Sequence, residues 1–350
     1  MMKNLRNLAM LSFSLLTIII LSSCNESTTN KTASTAQKKD STVVANKVLS
    51  LSATISLPKV KGGFDLMAID SAGQRLFLAA EDNHTVEVLD IKNNKPINSL
   101  PGFNEPKWIV YRPESNRLYV ATGGDGRVTV LDATTYKPLK SFSFKEKCNN
   151  LRFDADLQQL YVGVGKTVGS IGIIDVKQDK VINEIPLADF PKQFELDGKS
   201  IYVNVPSKNS IQVIDRTSNK VVAGWPVVES TENVPMALDK FHHRLFVACE
   251  PGKFIVYNTE TGKSVANLSI SKNADGIYLD ARRSLIYISC GEGFIEVIQQ
   301  KDADNYLSVD KIETVKGAGT SLFSTAFNQL FLAVPQTESN PAQLRVYTAN

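Results

Sequence analysis

RLFLAAEDNHTVEVLD (residues 75–90) and RLYVATGGDGRVTVLD (residues 117–132) stand 42 residues apart and share one design. Each opens on a basic residue and a hydrophobic pair, crosses a loop of small polar residues, and closes on an alternating run that ends in Asp. Taking the Leu or Ile before each aromatic as a marker, the design recurs seven times. The pairs are Leu76-Phe77, Leu118-Tyr119, Leu160-Tyr161, Ile201-Tyr202, Leu245-Phe246, Ile286-Tyr287 and Leu330-Phe331. Their spacings are 42, 42, 41, 44, 41 and 44 residues.

Within one period the apolar residues alternate with period two. LMAID, RLFLAA, TVEVLD and PINSL each read as a short strand, separated by SAGQ, EDNH and KNNK turns. A period in the low forties with four short strands per unit is the signature of propeller blades. The expected fold is all-β: a seven-bladed β-propeller of four-stranded antiparallel blades. The chain ends support closure. The last repeat stops at its third strand, AQLRVYTAN, while KVLSLSATISL near the start has the pattern of an unpartnered fourth. Residues 48–57 are therefore expected to complete the last blade and lock the ring, leaving only short outer edges open.

The N-terminus does not belong to this pattern. Lys3 and Arg6 precede an apolar stretch, LAMLSFSLLTIIILSS, as in a secretory signal. Leu21-Ser22-Ser23-Cys24 resembles the lipobox of bacterial lipoproteins, and the resemblance implies cleavage before Cys24 and lipidation of that residue. An ordinary signal peptide with an incidental Cys, or an uncleaved anchor helix, is the alternative. Several acyl chains on one residue anchor a protein stably, where a single chain holds it only reversibly. The next segment, NESTTNKTASTAQKKDSTVVANK, has no apolar period and too little hydrophobic surface to fold. As a flexible coil of some twenty residues it spans on the order of 25 Å. The expected organisation is a signal peptide over 1–23, lipidated Cys24 and tether over 24–46, and the propeller over 47–350. This places the protein in the cell envelope, with the membrane as a partner through its N-terminal lipid. No acidic run follows Cys24, which favours the periplasmic face of the outer membrane over the cell surface.

Removing Lys3 and Arg6 lowers the formal charge from +3 to +1. A near-neutral body argues against a dedicated nucleic-acid binder, which carries a basic excess.

RLYVATGGDGRVTVLD resembles the YVTN-repeat β-propellers, the YncE-like and surface-layer-like proteins of microbial envelopes, and the resemblance extends over the chain beyond the tether. Most repeats depart at the Asn that ends the YVTN consensus; Ala80, Thr122, Val164, Val205, Cys249, Cys290 and Val334 stand there. The resemblance implies the fold and carries no reaction with it.

Any chemistry must therefore come from particular residues. His84 lies in a loop between second and third strands, and His242 and His243 lie in a first-to-second-strand turn on the opposite face. A His-rich metal site is excluded by that separation, and no G-x-S-x-G elbow accompanies His84 for a catalytic triad. Beyond Cys24, Cys148, Cys249 and Cys290 are expected as free thiols that fill gaps between blades. Facing sheets lie roughly 10 Å apart, beyond the ~7 Å that a disulfide spans between Cα atoms. GVGKT (163–167) lacks the first Gly of a phosphate loop, with Leu160 in its place, and joins two strands rather than opening a helix. GGDG (123–126) reads as a tight loop. DADN (302–305) lacks the Gly and distal Glu of a calcium loop. KSFSFKEK reads as a half-buried outer strand rather than a stacking platform for single-stranded nucleic acid. No catalytic residue, metal site or cofactor is expected from these motifs.

The entrance to the central channel carries the remaining candidates. Eleven residues before each marker, or nine in the fourth blade, lie Asp65, Lys107, Asn149, Lys192, Val234, Asp275 and Gly319. Trp108, Asn150, Gln193 and Thr320 are next to them, with Arg152 a little further along. Such a concave polar ring with an aromatic wall suits a small polar ligand; its alternative is polarity that merely solvates the channel. Two acids two blades apart, with lysines in the same ring, do not make the carboxylate cluster of a calcium-dependent lactonase. The expected function is a lipid-anchored envelope module that binds a small polar ligand or a protein at the propeller face. A channel-mouth enzyme of lactonase, lyase or quinoprotein type is the alternative, and a structural component acting through its outer surface is the third class.

Overall fold

In the computed structural model the described residues are 47–228 and 230–350; the expected signal peptide, Cys24 and most of the tether lie outside them. Among the described residues twenty-eight strands form seven four-stranded antiparallel sheets, as the repeat predicts. The first sheet shows the plan: Asp65–Asp70 innermost, then Arg75–Ala80, Thr85–Asp90 and Lys95–Pro101. Its successors occupy residues 106–143, 148–186, 194–226, 236–269 and 274–313. The seventh sheet runs Ser321–Ser324, Gln329–Val334 and Ala342–Ala349, and Leu49–Leu57 supplies its outer strand. Leu49 pairs with Ala349 and Leu57 with Ala342, so both ends of the ring meet in one sheet as expected.

In the first four blades an Asp ends the third strand and shapes the turn that follows. The Asp132 carboxylate accepts hydrogen bonds from the backbone N–H groups of Thr134 and Thr135. Asp175 does the same for Lys177 and Gln178, and Asp215 for Ser218. In the fifth blade Asn258 takes the role, holding Glu260 and Thr261. A short polar side chain that bonds the backbone two or three residues on makes a local turn. The same turn in the fifth blade needs Gly262, at φ +70°, where a Cβ would strike the Trp225 indole.

The core is a ring of seven apolar clusters, one at each blade-to-blade interface. Phe77, Val88 and Ala68 of the first blade meet Leu118, Val120 and Ile109 of the second, and the pattern repeats around to the contact of Leu344 and Val346 with Leu76 and Leu78. Six of the seven aromatic markers have 2 % of their surface or less exposed, and Tyr202 has 4 %. The repeated aromatic is thus the wedge between sheets. Cys148, Cys249 and Cys290 are buried in these seams as free thiols.

Candidate functional site

Each inner strand starts at the upper face, where the loops between second and third strands also lie, and descends along the channel to the lower face. Four of the seven carry a bulge near the start, at Asp65/Met67, Pro106/Trp108, Cys148/Leu151 and Ala274/Gly276. Below the bulges the register brings one residue of each blade opposite its aromatic marker. These are Ala68, Val110, Arg152, Glu195, Ala237, Tyr278 and Leu322. The channel therefore has two levels, a mouth and a deeper tier.

At the mouth, Lys107 Nζ lies 3.7 Å from Asp65 Oδ2 and is hydrogen-bonded to Glu81. Thr320 Oγ1 donates to Asp275 Oδ2 at 2.8 Å, and Gln193 Nε2 donates to the Asp275 carbonyl at 3.1 Å. Asp65, Lys107, Asp275, Thr320 and Gln193 of the sequence-derived set thus share the entrance. Burial in the narrow mouth pushes the Asp65 carboxyl well above its ordinary value, and the Asp275 charge adds to this. Lys107 and the N–H of Leu66 oppose the shift without cancelling it. Burial alone would pull Lys107 down, yet Asp65 and Glu81 outweigh it and hold the ammonium charged. Lys107 is thus hydrogen-bonded to Glu81 and stands at ion-pair distance from Asp65, whose carboxyl burial still raises.

In the deeper tier Arg152 Nη2 and Nε reach Glu195 Oε1 at 2.8 and 3.2 Å. The guanidinium carbon stands 4.3 Å from the centre of the Trp108 ring, a cation–π contact. Tyr278 donates its hydroxyl to the Ser321 carbonyl across the next blade seam at 2.5 Å. Burial, foremost, drives the Tyr278 phenol far up, so it stays a donor at any ordinary pH. Trp108, Arg152, Gln193, Glu195 and Tyr278 line a cavity of about 390 Å³ together with Met236 and Leu322. An aromatic wall, an apolar floor and a few fixed polar groups are the make-up of a small-molecule site.

The other expected residues do not converge. Lys192 turns its ammonium toward the Phe190 ring, 5.6 Å from the centre, and Asn149 and Asn150 sit at the top of Cys148–Asp154 without entering the cavity lining. Val234 and Gly319 contribute backbone only; the Val234 carbonyl accepts from Asn204 Nδ2 at 3.1 Å. Glu81, Glu195 and Tyr278 escaped the sequence reading. Counting from the aromatic rather than from the marker, nine residues back or seven in the fourth blade, would have found the last two, since those are the residues paired with it. Among the described residues no three His, Cys, Asp or Glu side chains form a metal-holding group. His84 Nδ1 accepts the Glu105 N–H at 3.2 Å, and His242 Nδ1 lies 2.7 Å from Asp239 Oδ2 on the opposite face.

Fold and site together define a seven-bladed β-propeller with a polar, two-level central channel. No family model and no curated protein matches the chain. Among solved structures it is similar to Kuenenia stuttgartiensis hydrazine synthase, at 19 % identity and a TM-score of 0.70, covering 82 % of this chain and 97 % of that one. It is also similar to a chain of a mitotic checkpoint complex, at 13 % identity and a TM-score of 0.73, covering 95 % and 99 % respectively. Likeness at such identities is likeness of fold, shared by an enzyme and by a regulatory assembly, and it selects no activity.

Proposed function

We propose that this chain is a lipid-anchored envelope β-propeller of the YVTN-repeat, YncE-like kind that binds a small polar ligand in its central channel. The signal-like stretch, Cys24 and the tether composition support the anchor and a periplasmic location at the outer membrane. One observation carries the binding function: the cavity of about 390 Å³ in which Trp108, Arg152 and Glu195 are fixed against one another. A preorganised polar pair beside an aromatic face orients a ligand with little ordering cost. The mouth, with Asp65, Glu81 and Lys107, stands above it.

A channel enzyme is the second reading, favoured by the Asp65 carboxyl, whose raised pKa beside a cavity is the mark of a candidate general acid or base. A thermal-shift screen of residues 47–350 against sugar lactones, quinones, divalent metals and oligonucleotides tests both. Ligand binding to the folded state alone raises the melting temperature by mass action. A shift lost in Arg152→Ala establishes the channel site. Turnover of the same compound, lost in Asp65→Asn while binding persists, moves the reading to the enzyme. No shift in any class overturns small-ligand binding and leaves a protein partner.

A further inference from the structure

Two turns of the lower face hold apolar side chains out in solvent. Phe241, between Met236–Asp239 and Arg244–Cys249, is 86 % exposed, and Leu157, between Cys148–Asp154 and Gln159–Val164, is 53 % exposed. Between them lies a depression of about 480 Å³ lined by Leu157, Lys199 and Lys240 and backed by the Arg216–Asp154 ion pair. Lys199 and Lys240 form no ion pair among the described residues; Asp156 is the one carboxylate of the lining not committed to Arg216.

The chain enters the ring on this same face. Leu49 pairs with Ala349, and Thr348 pairs with Gln329, which follows the first-to-second-strand turn of the seventh blade. Asn350 Nδ2 donates to the Lys47 carbonyl at 2.7 Å, and Arg283 Nε donates to the Asn350 carbonyl at 3.0 Å. The described chain therefore begins at the lower face, the one that carries Phe241 and Leu157.

We propose that the lower face docks on an anionic phospholipid bilayer. Phe241 and Leu157 enter the headgroup–acyl boundary, and Lys199 and Lys240 lie against lipid phosphates. The orientation rests on the lipid-anchor reading: a tether of some twenty residues reaches about 25 Å, so anchoring holds this face at high effective concentration near the membrane. Exposed aromatic and aliphatic tips flanked by lysines match the requirements of an interfacial contact. A second copy of the chain is the poorer occupant, because two turn tips fall short of the roughly 1,000 Å² that a stable protein interface buries.

The test is flotation of residues 47–350, in which all seven sheets are complete without the tether, with phosphatidylcholine vesicles and with phosphatidylcholine–phosphatidylglycerol vesicles. Binding is expected on the anionic vesicles only. It should weaken about tenfold in the Phe241→Ser, Leu157→Ser double variant through loss of apolar burial. It should also weaken with added salt and in the Lys199→Glu, Lys240→Glu pair. Should the first variant melt early, the lysine pair decides. No binding to anionic vesicles, or variants that bind as the parent does, would overturn the proposal, as would self-association through the same tips. Acyl labelling of the full chain and of Cys24→Ser is the separate check on the anchor. Loss of the anchor reading would leave vesicle binding by the ring intact.

Discussion

Arg152 of the third blade and Glu195 of the fourth are joined by two N–H groups on one carboxylate oxygen, at 2.8 and 3.2 Å, across the seam that opens into the channel. Trp108 of the second blade packs on the other side of the guanidinium. Three consecutive blades thus converge on one charged group, and the same contact that shapes the cavity ties the blades together.

Removing one partner leaves the other charge in a half-buried site, which costs more than the pair contributes when intact. Glu195→Ala is expected to destabilise residues 47–350 by about 1–3 kcal/mol, less than for a fully buried pair because water reaches the channel. Arg152→Ala should cost a similar amount, and the double variant less than the sum. Urea melts of the four proteins measure that coupling; full additivity would show that the two side chains act independently.

Asp65 makes stability depend on pH in the less common direction. Its folded-state carboxyl sits above the ordinary value of 3.8 because of burial and the nearby Asp275 charge. Between the unfolded and folded pKa values the native state holds the proton more tightly. This contribution is therefore full below the unfolded pKa and is lost as pH rises through the folded one. Asp65→Asn keeps an oxygen for the Leu66 N–H, which Asp65 Oδ1 now accepts at 2.9 Å. The variant should melt above the parent at neutral pH, and the gap should close as pH falls toward 4. A variant that melts below the parent at neutral pH, with the deficit shrinking on acidification, would mean that Lys107, and not burial, dominates this carboxyl.

Ring closure rests on Leu49–Leu57, whose Leu49, Ile55 and Leu57 side chains are 1–2 % exposed. Ile55 belongs to the cluster that joins the seventh and first blades, so Ile55→Ala should cost about 2–5 kcal/mol. Removing residues 47–57 should do more than subtract those contacts, since it bares the Ala342–Ala349 edge. Size-exclusion chromatography should then show association, whereas Ile55→Ala stays monodisperse. A truncated chain that remains monomeric with an unchanged melt would refute closure as the source of stability.

The fold was legible because an aromatic wedge must recur wherever a blade packs on its neighbour, and a turn-capping Asp follows it in the first four blades. Period and alternation therefore carry the architecture. The mouth was legible in part: Asp65, Lys107 and Asp275 follow from counting to strand starts. Glu81 did not, because it hangs from the loop after Arg75–Ala80 and reaches a lysine of the next blade, a contact that no count along one strand reports. Arg152 was visible as an isolated charge, but its partner Glu195 stands on the next blade, and no count along one strand reports a contact across a seam. Lys192 stands at the right place in the count, with its ammonium 5.6 Å from the centre of the Phe190 ring, a contact that the count does not report.

The three thiols provide the last prediction. Cys148, Cys249 and Cys290 lie in separate blade seams, and burial pushes each thiol up, that of Cys249 to about 12. The thiolate is the reactive form, so a buried thiol with so little of it is inert even in an oxidising compartment. Residues 47–350 should show no thiol titratable by an aromatic disulfide reagent at pH 8 in native buffer, and three after denaturation. The rate at which the thiols appear in intermediate urea should follow opening of the blades. Fast native labelling of one cysteine would show that its seam opens locally, and replacing that residue with Ser or Ala would identify which.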